Sequence, residues 1–399
     1  MLNIDKKTRA YALKNAIAHE GTAMQGPVIS SLFNEGLKKS DVGKYAKKIS
    51  EIILEVNSLG LEKQKKEFEK LEKEVHERPA REGLEELPDA PKTGVVMRFA
   101  PSPSGPFHVG HAIVFSLNYL YVKKYGGKLY LRIEDTNPEN IYSKSYKMLE
   151  EESKWLSDGK AEVVVQSDRM PLYYEYAEKL INKNSAYVCT CSSEDFKKIA
   201  EKKKDCPCRK LDIKENIERW KKMLDKKGYK EGSAVLRFRS DMKHKNPAMR
   251  DFPLARINLT KHPRQGNKYR VWPLMNLAVA TDDIEMKMTH IIRGKDHRDN
   301  AERQSMIFKV LNKKFPWTAF LGRINFKDME LSSTQMRKDI EAKKFKGWDD
   351  KRLPTIASLK KQGYKPNAFW KLAEQMGLAE NDKVITREEF FQLLDNFNK

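Results

Sequence analysis

The sequence predicts an α/β protein whose parallel sheet is interrupted by a basic insertion and flanked by helical regions. Three observations predict it. First, the short apolar runs Val95-Val96-Met97, Lys128 to Ile133 and Ala161 to Val165 alternate with helical patterns at Ala112 to Lys124 and Tyr146 to Trp155. Strand, helix, strand, helix, strand is the signature of parallel βαβ units. Second, apolar character returns at Tyr269 to Ala280 and Met288 to Arg293, with a helical stretch over 300–311, so the sheet has a second half. Third, the residues between the halves are rich in lysine and carry every cysteine of the chain.

Composition narrows the class. The chain has 399 residues, room for two or three domains, with 77 Lys+Arg against 56 Asp+Glu and a formal charge of +21. Such a field attracts polyanions, nucleic acid foremost. No apolar run approaches a membrane span and the N-terminus lacks a signal-peptide pattern, so a soluble, cytoplasmic protein without a membrane partner is expected.

Taken in order, residues 1–92 read as a helical extension. Tyr11 to Glu20, Val28 to Leu37 and Val42 to Val56 space their apolar residues at three and four. Gln64 to Glu77 is nearly all Lys and Glu with one apolar stripe, and Pro79, Pro88 and Pro91 make a linker. This part is either a docking or RNA-contact module or a stabilising appendage.

Residues 93–185 form the first half of the α/β domain. Between its first strand and helix lies Arg98-Phe-Ala-Pro-Ser-Pro-Ser-Gly-Pro-Phe-His-Val-Gly-His111. A Pro/Gly turn leading into a helix N-terminus presents backbone N–H groups to an anion, and His108 and His111 place imidazoles there. Ligands in such sheets sit at the carboxyl ends of strands, which marks Arg98 and Glu134, a carboxylate suited to a ligand amine or a ribose.

Residues 186–268 are the insertion. Cys189, Cys191, Cys206 and Cys208 make Cys-x-Cys…Cys-x-Cys across a short helix, a thiolate set that suits structural Zn²⁺. Lys202 to Lys204, Arg209-Lys210, Lys221-Lys222, Lys226-Lys227 and Lys243 to Lys245 suggest a surface that tracks phosphates. Residues 269–326 complete the sheet and place Arg293 at another strand end. Residues 327–399 start with a loop through Leu331 to Thr334, and their last fifty residues read as helices.

The stretch Arg98 to His111 resembles the HIGH motif of class I aminoacyl-tRNA synthetases, in the form used by glutamyl- and glutaminyl-tRNA synthetases. Leu129 to Thr136 is similar to that group's second strand, Thr289 to His297 to its later strand, and Leu331-Ser332-Ser333-Thr334 to its KMSKS loop. Trp348 to Thr355 follows in the family's order, and the helices around Ala12 to Ala16 resemble the extension of archaeal glutamyl-tRNA synthetases.

The resemblance implies a Rossmann-like catalytic sheet interrupted by an acceptor-end-binding insertion. It implies activation of L-glutamate by ATP with Mg²⁺, then transfer to the 3′-terminal adenosine of tRNA(Glu). His108 and His111 are the implied catalytic pair. With Gly110, Leu331, Ser332, Ser333, Thr334 and Arg337 they form the implied ATP site. Arg98, Ala100, Ser102, Glu134, Asn276 and Arg293 form the implied glutamate site, Glu134 taking the ammonium group and Arg293 the side-chain carboxylate.

The chain departs from the family in three places. Glu330, Ser333 and Thr334 stand where family members have Lys, Lys and Ser, which leaves the charge to Arg337 or Lys338. Pro273-Leu-Met-Asn276 differs from the tyrosine-containing form of bacterial relatives. No alternating strands of an anticodon-binding barrel follow residue 340, so a barrel cut away or carried by a separate polypeptide is expected. Two other readings stay open: a paralogue that glutamylates a modified tRNA base, and a non-catalytic tRNA-binding subunit.

Overall fold

The computed structural model describes residues 3–76 and 83–399; Pro79 of the expected linker and Glu77 of the expected fourth helix lie outside them. The chain forms two compact units, Met1–Glu82 and Gly83–Lys399. The expected division after residue 92 moves to residue 82, because Leu84, Leu87 and Ala90 pack into the core of the second unit.

The first unit holds α1 (Ile4–Ala18), α2 (Gln25–Asn34), α3 (Val42–Ser58) and α4 (Leu61–Leu71). Leu13, Leu32, Ile49, Ile53 and Val56 fill its core at the helical spacing seen in the sequence. The Lys/Glu-rich α4 packs Phe68 and Leu71 on this core, and its buried amide Gln64 Nε2 donates to the carbonyls of Gly21, Val56 and Leu59.

In the second unit β1 (Val95–Phe99), α5 (Val109–Tyr125), β2 (Gly127–Ile133), α6 (Ser145–Leu156) and β3 (Ala161–Val165) build the first parallel half, β1 pairing β2 and β2 pairing β3. Helix α7 (Met170–Asn182) leads to β4 (Ala186–Cys189), α8 (Ser193–Glu201), α9 (Ile213–Leu224), β5 (Val235–Phe238), β6 (Pro253–Ile257) and β7 (Val271–Pro273). Strands β4 to β7 form one antiparallel sheet, so Val271 to Pro273 belongs with the insertion although the sequence places it after residue 268. The register gives the reason: Val271, Trp272 and Pro273 pair with Ile257, Arg256 and Ala255.

The chain then returns through α10 (Met275–Glu285), β8 (His290–Gly294), α11 (Arg298–Val310) and β9 (Trp317–Leu321), with β8 and β9 parallel. Thr289, just before β8, joins the halves: its N–H donates to Val96 O at 3.0 Å and its Oγ1 accepts from Val96 N–H at 2.9 Å.

The remainder is β10 (Ile324–Phe326), α12 (Ser333–Glu341), α13 (Ile356–Lys361), α14 (Pro366–Met376), β11 (Lys383–Ile385) and α15 (Arg387–Phe397). Two expectations are corrected here. The last residues are not all helical, since β11 pairs with β10 in parallel. Trp348 to Thr355 is an irregular segment, because its Pro354 and its side-chain-bonded turns leave no helical ladder.

Candidate active site

The prolines of residues 101–106 make a loop over the end of β1 that ties itself through its carbonyls to the connection between β2 and α6. Pro101 O accepts from Glu134 N–H and Pro103 O from Tyr142 N–H. The loop ends at His108, which caps α5; its Nδ1 accepts from His111 N–H at 3.3 Å. The two imidazoles stack with centroids 3.6 Å apart, and Phe99 and Phe107 meet His111 edge-on. Burial lowers the pKa of His111 to about 4. Burial, helped by His111, takes His108 well below its usual range. Both rings are therefore neutral at pH 7, and the Nδ1 of His111 is a buried nitrogen without a hydrogen-bond partner.

The opposite wall docks directly on this loop. A Cβ on Gly105 would meet the Trp348 ring at 2.8 Å and the Ser333 Cβ at 3.1 Å. One on Gly110 would meet the His108 ring at 3.1 Å and Leu331 Cδ1 at 3.5 Å. Ser332 caps α12, so Ser333 and Thr334 lie in the helix rather than in a loop; Ser333 is buried and Thr334 exposed. Arg337, one turn on, stands over the Tyr142 ring at 5.8 Å. The segment after α12 is stitched to the loop on the main chain: Val109 N–H donates to Pro354 O and Ile356 N–H to Phe107 O. Underneath, Glu152 Oε2 accepts from Phe107 N–H at 2.6 Å.

A second cluster lies at the ends of β1, β2 and β8. Arg98, Asn276 and Arg293 are all buried there, and Glu134 is nearly so. Burial, with Arg98 next in effect, lowers the Arg293 pKa to about 10, which leaves the guanidinium charged at neutral pH. Burial raises the Glu134 pKa while Arg132 and Arg98 oppose it. Arg293 Nε is buried without a hydrogen-bond partner, and Arg98 Nε has only Asp283 Oδ1, at 3.5 Å. An anionic ligand would satisfy such groups, which are otherwise costly to bury.

Asn276 is engaged rather than open. Its Oδ1 accepts from Gln304 Nε2 at 3.4 Å, and Gln304 Oε1 accepts from Arg293 Nη1 at 2.8 Å. Gln304 carries no mark in the sequence; it lies on α11, 11 positions after Arg293, and the packing of α10 against α11 brings Asn276 to it. Ala100 lines the loop half-buried, and Ser102 is exposed. Of the adjacent acids after β2, Asp135 is committed inward, accepting from Ser167 N–H, Ser167 Oγ and Tyr146 OH.

The four cysteines converge in the antiparallel part, apart from both clusters. Their Sγ atoms all lie within 4.8 Å of one another, with Cys191–Cys206 at 3.3 Å, Cys189–Cys206 at 3.6 Å and Cys191–Cys208 at 3.9 Å. A tetrahedron with zinc–sulfur bonds of about 2.3 Å has edges of about 3.8 Å, so the donor set fits that ion. Two donors face Cys208 Sγ, Thr190 N–H at 3.4 Å and Arg219 Nη1 at 3.8 Å, as suits a thiolate.

Residues 94–396 match the family described as tRNA synthetases class I (E and Q), catalytic domain. The glutamate–tRNA ligase of Methanocaldococcus jannaschii is 42% identical over 391 residues, covering 98% of this chain and 70% of that protein. That of Pyrococcus abyssi is 42% identical over 397 residues, covering 96% and 69%. Two solved glutamate–tRNA ligases share the fold at 21% identity. One, from Elizabethkingia anophelis, has a TM-score of 0.51 and covers 75% of this chain and 70% of its own. The other, from Elizabethkingia meningosepticum with its amino acid, has a TM-score of 0.50 and covers 70% and 60%. With a strand-end charge cluster, a histidine-capped helix and this likeness over nearly all its length, the chain belongs to the class I tRNA synthetases of the glutamate and glutamine (E and Q) group.

Proposed function

We propose that this chain joins L-glutamate to the 3′-terminal adenosine of tRNA(Glu), using ATP carried as its Mg²⁺ complex. In the first step a carboxylate oxygen of glutamate's α-carboxyl bonds to the α-phosphorus as the bond to pyrophosphate breaks. In the second a terminal ribose hydroxyl bonds to the acyl carbon, AMP leaves with the electron pair, and the hydroxyl proton is released. The protein's part is to position the reactants and neutralise developing charge.

On this reading Arg98 and Arg293 receive the carboxylates of the amino acid and Glu134 its ammonium group, with Ala100 and Ser102 alongside. His108 and His111, both neutral, donate hydrogen bonds to the phosphates, with Gly110 admitting the nucleotide. Leu331, Ser332, Ser333, Thr334 and Arg337 close the nucleotide from the other side, Arg337 standing in for the missing lysines. A glutamine side chain would leave Arg293 buried and poorly paired, which penalises it. Zinc held by Cys189, Cys191, Cys206 and Cys208 stiffens the insertion; four thiolates leave it no open position, so its role is structural. The basic insertion meets the acceptor end.

The supporting observation is the buried Arg98, Arg293 and Glu134 cluster beside the histidine-capped helix, in a chain 42% identical to glutamate–tRNA ligases. ATP–pyrophosphate exchange that requires glutamate and tRNA, and charging compared on tRNA(Glu), tRNA(Gln) and tRNA(Asp), test it. Charging should vanish when periodate destroys the terminal ribose diol. Charging that survives periodate points to an internal base as acceptor, and no exchange at saturating tRNA points to a non-catalytic binding subunit.

A further inference from the structure

Asp282 and Asp283 are neighbours on α10, both essentially inaccessible, yet their hydrogen bonds serve different structures; Asp282 meets Arg132 only as a longer ion pair, Oδ2 to Nε at 3.8 Å. Asp282 accepts from Gln166 Nε2 at 2.9 Å, Arg169 Nε at 2.7 Å and Tyr173 OH at 2.8 Å, which anchors α7 and the turn before it. Asp283 turns toward the strand ends instead. Its Oδ1 accepts from Arg132 Nη1 at 2.6 Å and lies 3.5 Å from Arg98 Nε. Arg132, wholly buried, passes the contact on, donating through Nη2 to Glu134 Oε1 at 3.1 Å. Burial lowers the Arg132 pKa, but Asp283, Glu134 and Asp282 outweigh it and keep the guanidinium charged.

Arg98, Arg132 and Arg293 thus crowd one pocket, and Asp283 is the acid that touches two of them. Without its charge Arg132 would claim Glu134 in full, and the surplus positive charge would repel an incoming ammonium group. We propose that Asp283 is a positioning residue for amino-acid selection: by engaging Arg132 and Arg98 it leaves Glu134 available to the substrate's α-ammonium group. This rests on the proposed glutamate reading of the pocket. It locates selection for the amino group in a residue that need not touch the substrate.

Glutarate, which has glutamate's two carboxylates and no ammonium, separates the ends of the pocket. Calorimetric binding of glutamate and glutarate to the full chain and to its Asp283→Asn variant is the test. Asp283→Asn should weaken glutamate by about tenfold or more, the scale of a missing charged hydrogen bond, and leave glutarate within about twofold. The KM for ATP should stay within about twofold, as that wall is untouched. Asp282→Asn, the same change one residue earlier, removes the anchor of α7 and only the longer ion pair to Arg132, so it should lower the thermal midpoint and shift the glutamate-to-glutarate ratio far less than Asp283→Asn. Arg132→Lys keeps the buried charge but lacks the planar fork that holds Asp283 and Glu134 together, so it should repeat the selective loss and serves if Asp283→Asn does not fold. Equal weakening of both ligands, or an unchanged ratio in either folded variant, overturns the inference. An unaltered chain that binds neither ligand and shows no glutamate-dependent exchange overturns the proposed function itself.

Discussion

On the proposed reading of the pocket, Arg293 discriminates a carboxylate from an amide only if its guanidinium is held still, and two uncharged amides hold it. Gln304 takes one N–H of Arg293, and Asn276 takes the amide N–H of Gln304. An acid in place of Gln304 would neutralise the arginine before substrate arrived; an amide orients it and leaves its charge free. Gln304→Ala should lower kcat/KM for glutamate by about tenfold, measured by exchange at saturating tRNA, with a smaller effect from Asn276→Ala.

The histidines give a prediction in pH. His111 is held neutral with a pKa of about 4, against a usual value of 6.5. Between those values the unfolded chain binds more protons, so stability is full above pH 6.5 and falls as pH drops toward 4. His111→Gln should abolish about 1–2 kcal/mol of that acid destabilisation, seen as a flatter dependence of thermal midpoint on pH across that window, with partial exposure allowed for. At this scale the sequence exposed only part of the site. Arg98, Glu134 and Arg293 stand out because strand ends are where ligands bind. Asp283 and Gln304 do not, because their partners are set by packing: Arg132 and Asp283 lie 151 positions apart.

Between elements, the decisive contact is the clasp of the segment before α13 onto the loop before α5. Main-chain bonds from Val109 and Ile356 form its upper face, and Glu152 closes it from below on Phe107 N–H. Thr355 braces the turn, donating to Trp348 O and accepting from Ser358 N–H. Burial raises the Glu152 pKa to about 8 against the opposing pull of the Phe107 and Ala357 N–H groups. From pH 4.5 to 8 the folded chain therefore binds more protons than the unfolded one, and stability is lost as pH rises through that window. Glu152→Gln keeps an acceptor for Phe107 and removes the ionisation. It should be more stable than the parent at about pH 8 by about 2–3 kcal/mol and near parity at about pH 5, read from denaturant midpoints at the two values. The clasp was hidden from the sequence because Trp348 to Thr355 has helix-forming neighbours and its pairing partner lies far up the chain. Strand β11 was hidden likewise, since Lys383-Val384-Ile385 is too short to carry a pattern and pairs with β10, 59 positions up the chain.

For the molecule as a whole, the formal charge is +21, and the insertion carries exposed lysine clusters. Lys202, Lys203, Lys204, Lys221, Lys222, Lys226, Lys227, Lys243 and Lys245 are exposed there, while Arg209 is drawn inward onto Asp251, donating through Nη1 to Oδ2 at 2.6 Å. The cysteine cluster lies between β4, α8 and the turn before α9, and its small core contains Tyr187, Phe196 and Met242. That core is too small to fix α8 and the lysines after it by apolar burial alone, so the metal should carry much of their order. Metal analysis should find about one zinc per chain. Stripping it with a chelator should lower the thermal midpoint by about 5 °C or more and weaken tRNA binding, with glutamate binding at the strand ends largely kept. The lysines themselves should report through salt. Every phosphate that a lysine no longer neutralises reduces the slope of log Kd for tRNA against log salt by about 0.9. Replacing Lys202, Lys203 and Lys204 together by alanine should therefore cut the slope by about one to three and leave kcat for exchange at saturating tRNA unchanged. A slope that stays put would move the acceptor-end contacts off this face, and a fall in kcat would show that the segment also orders the catalytic clusters.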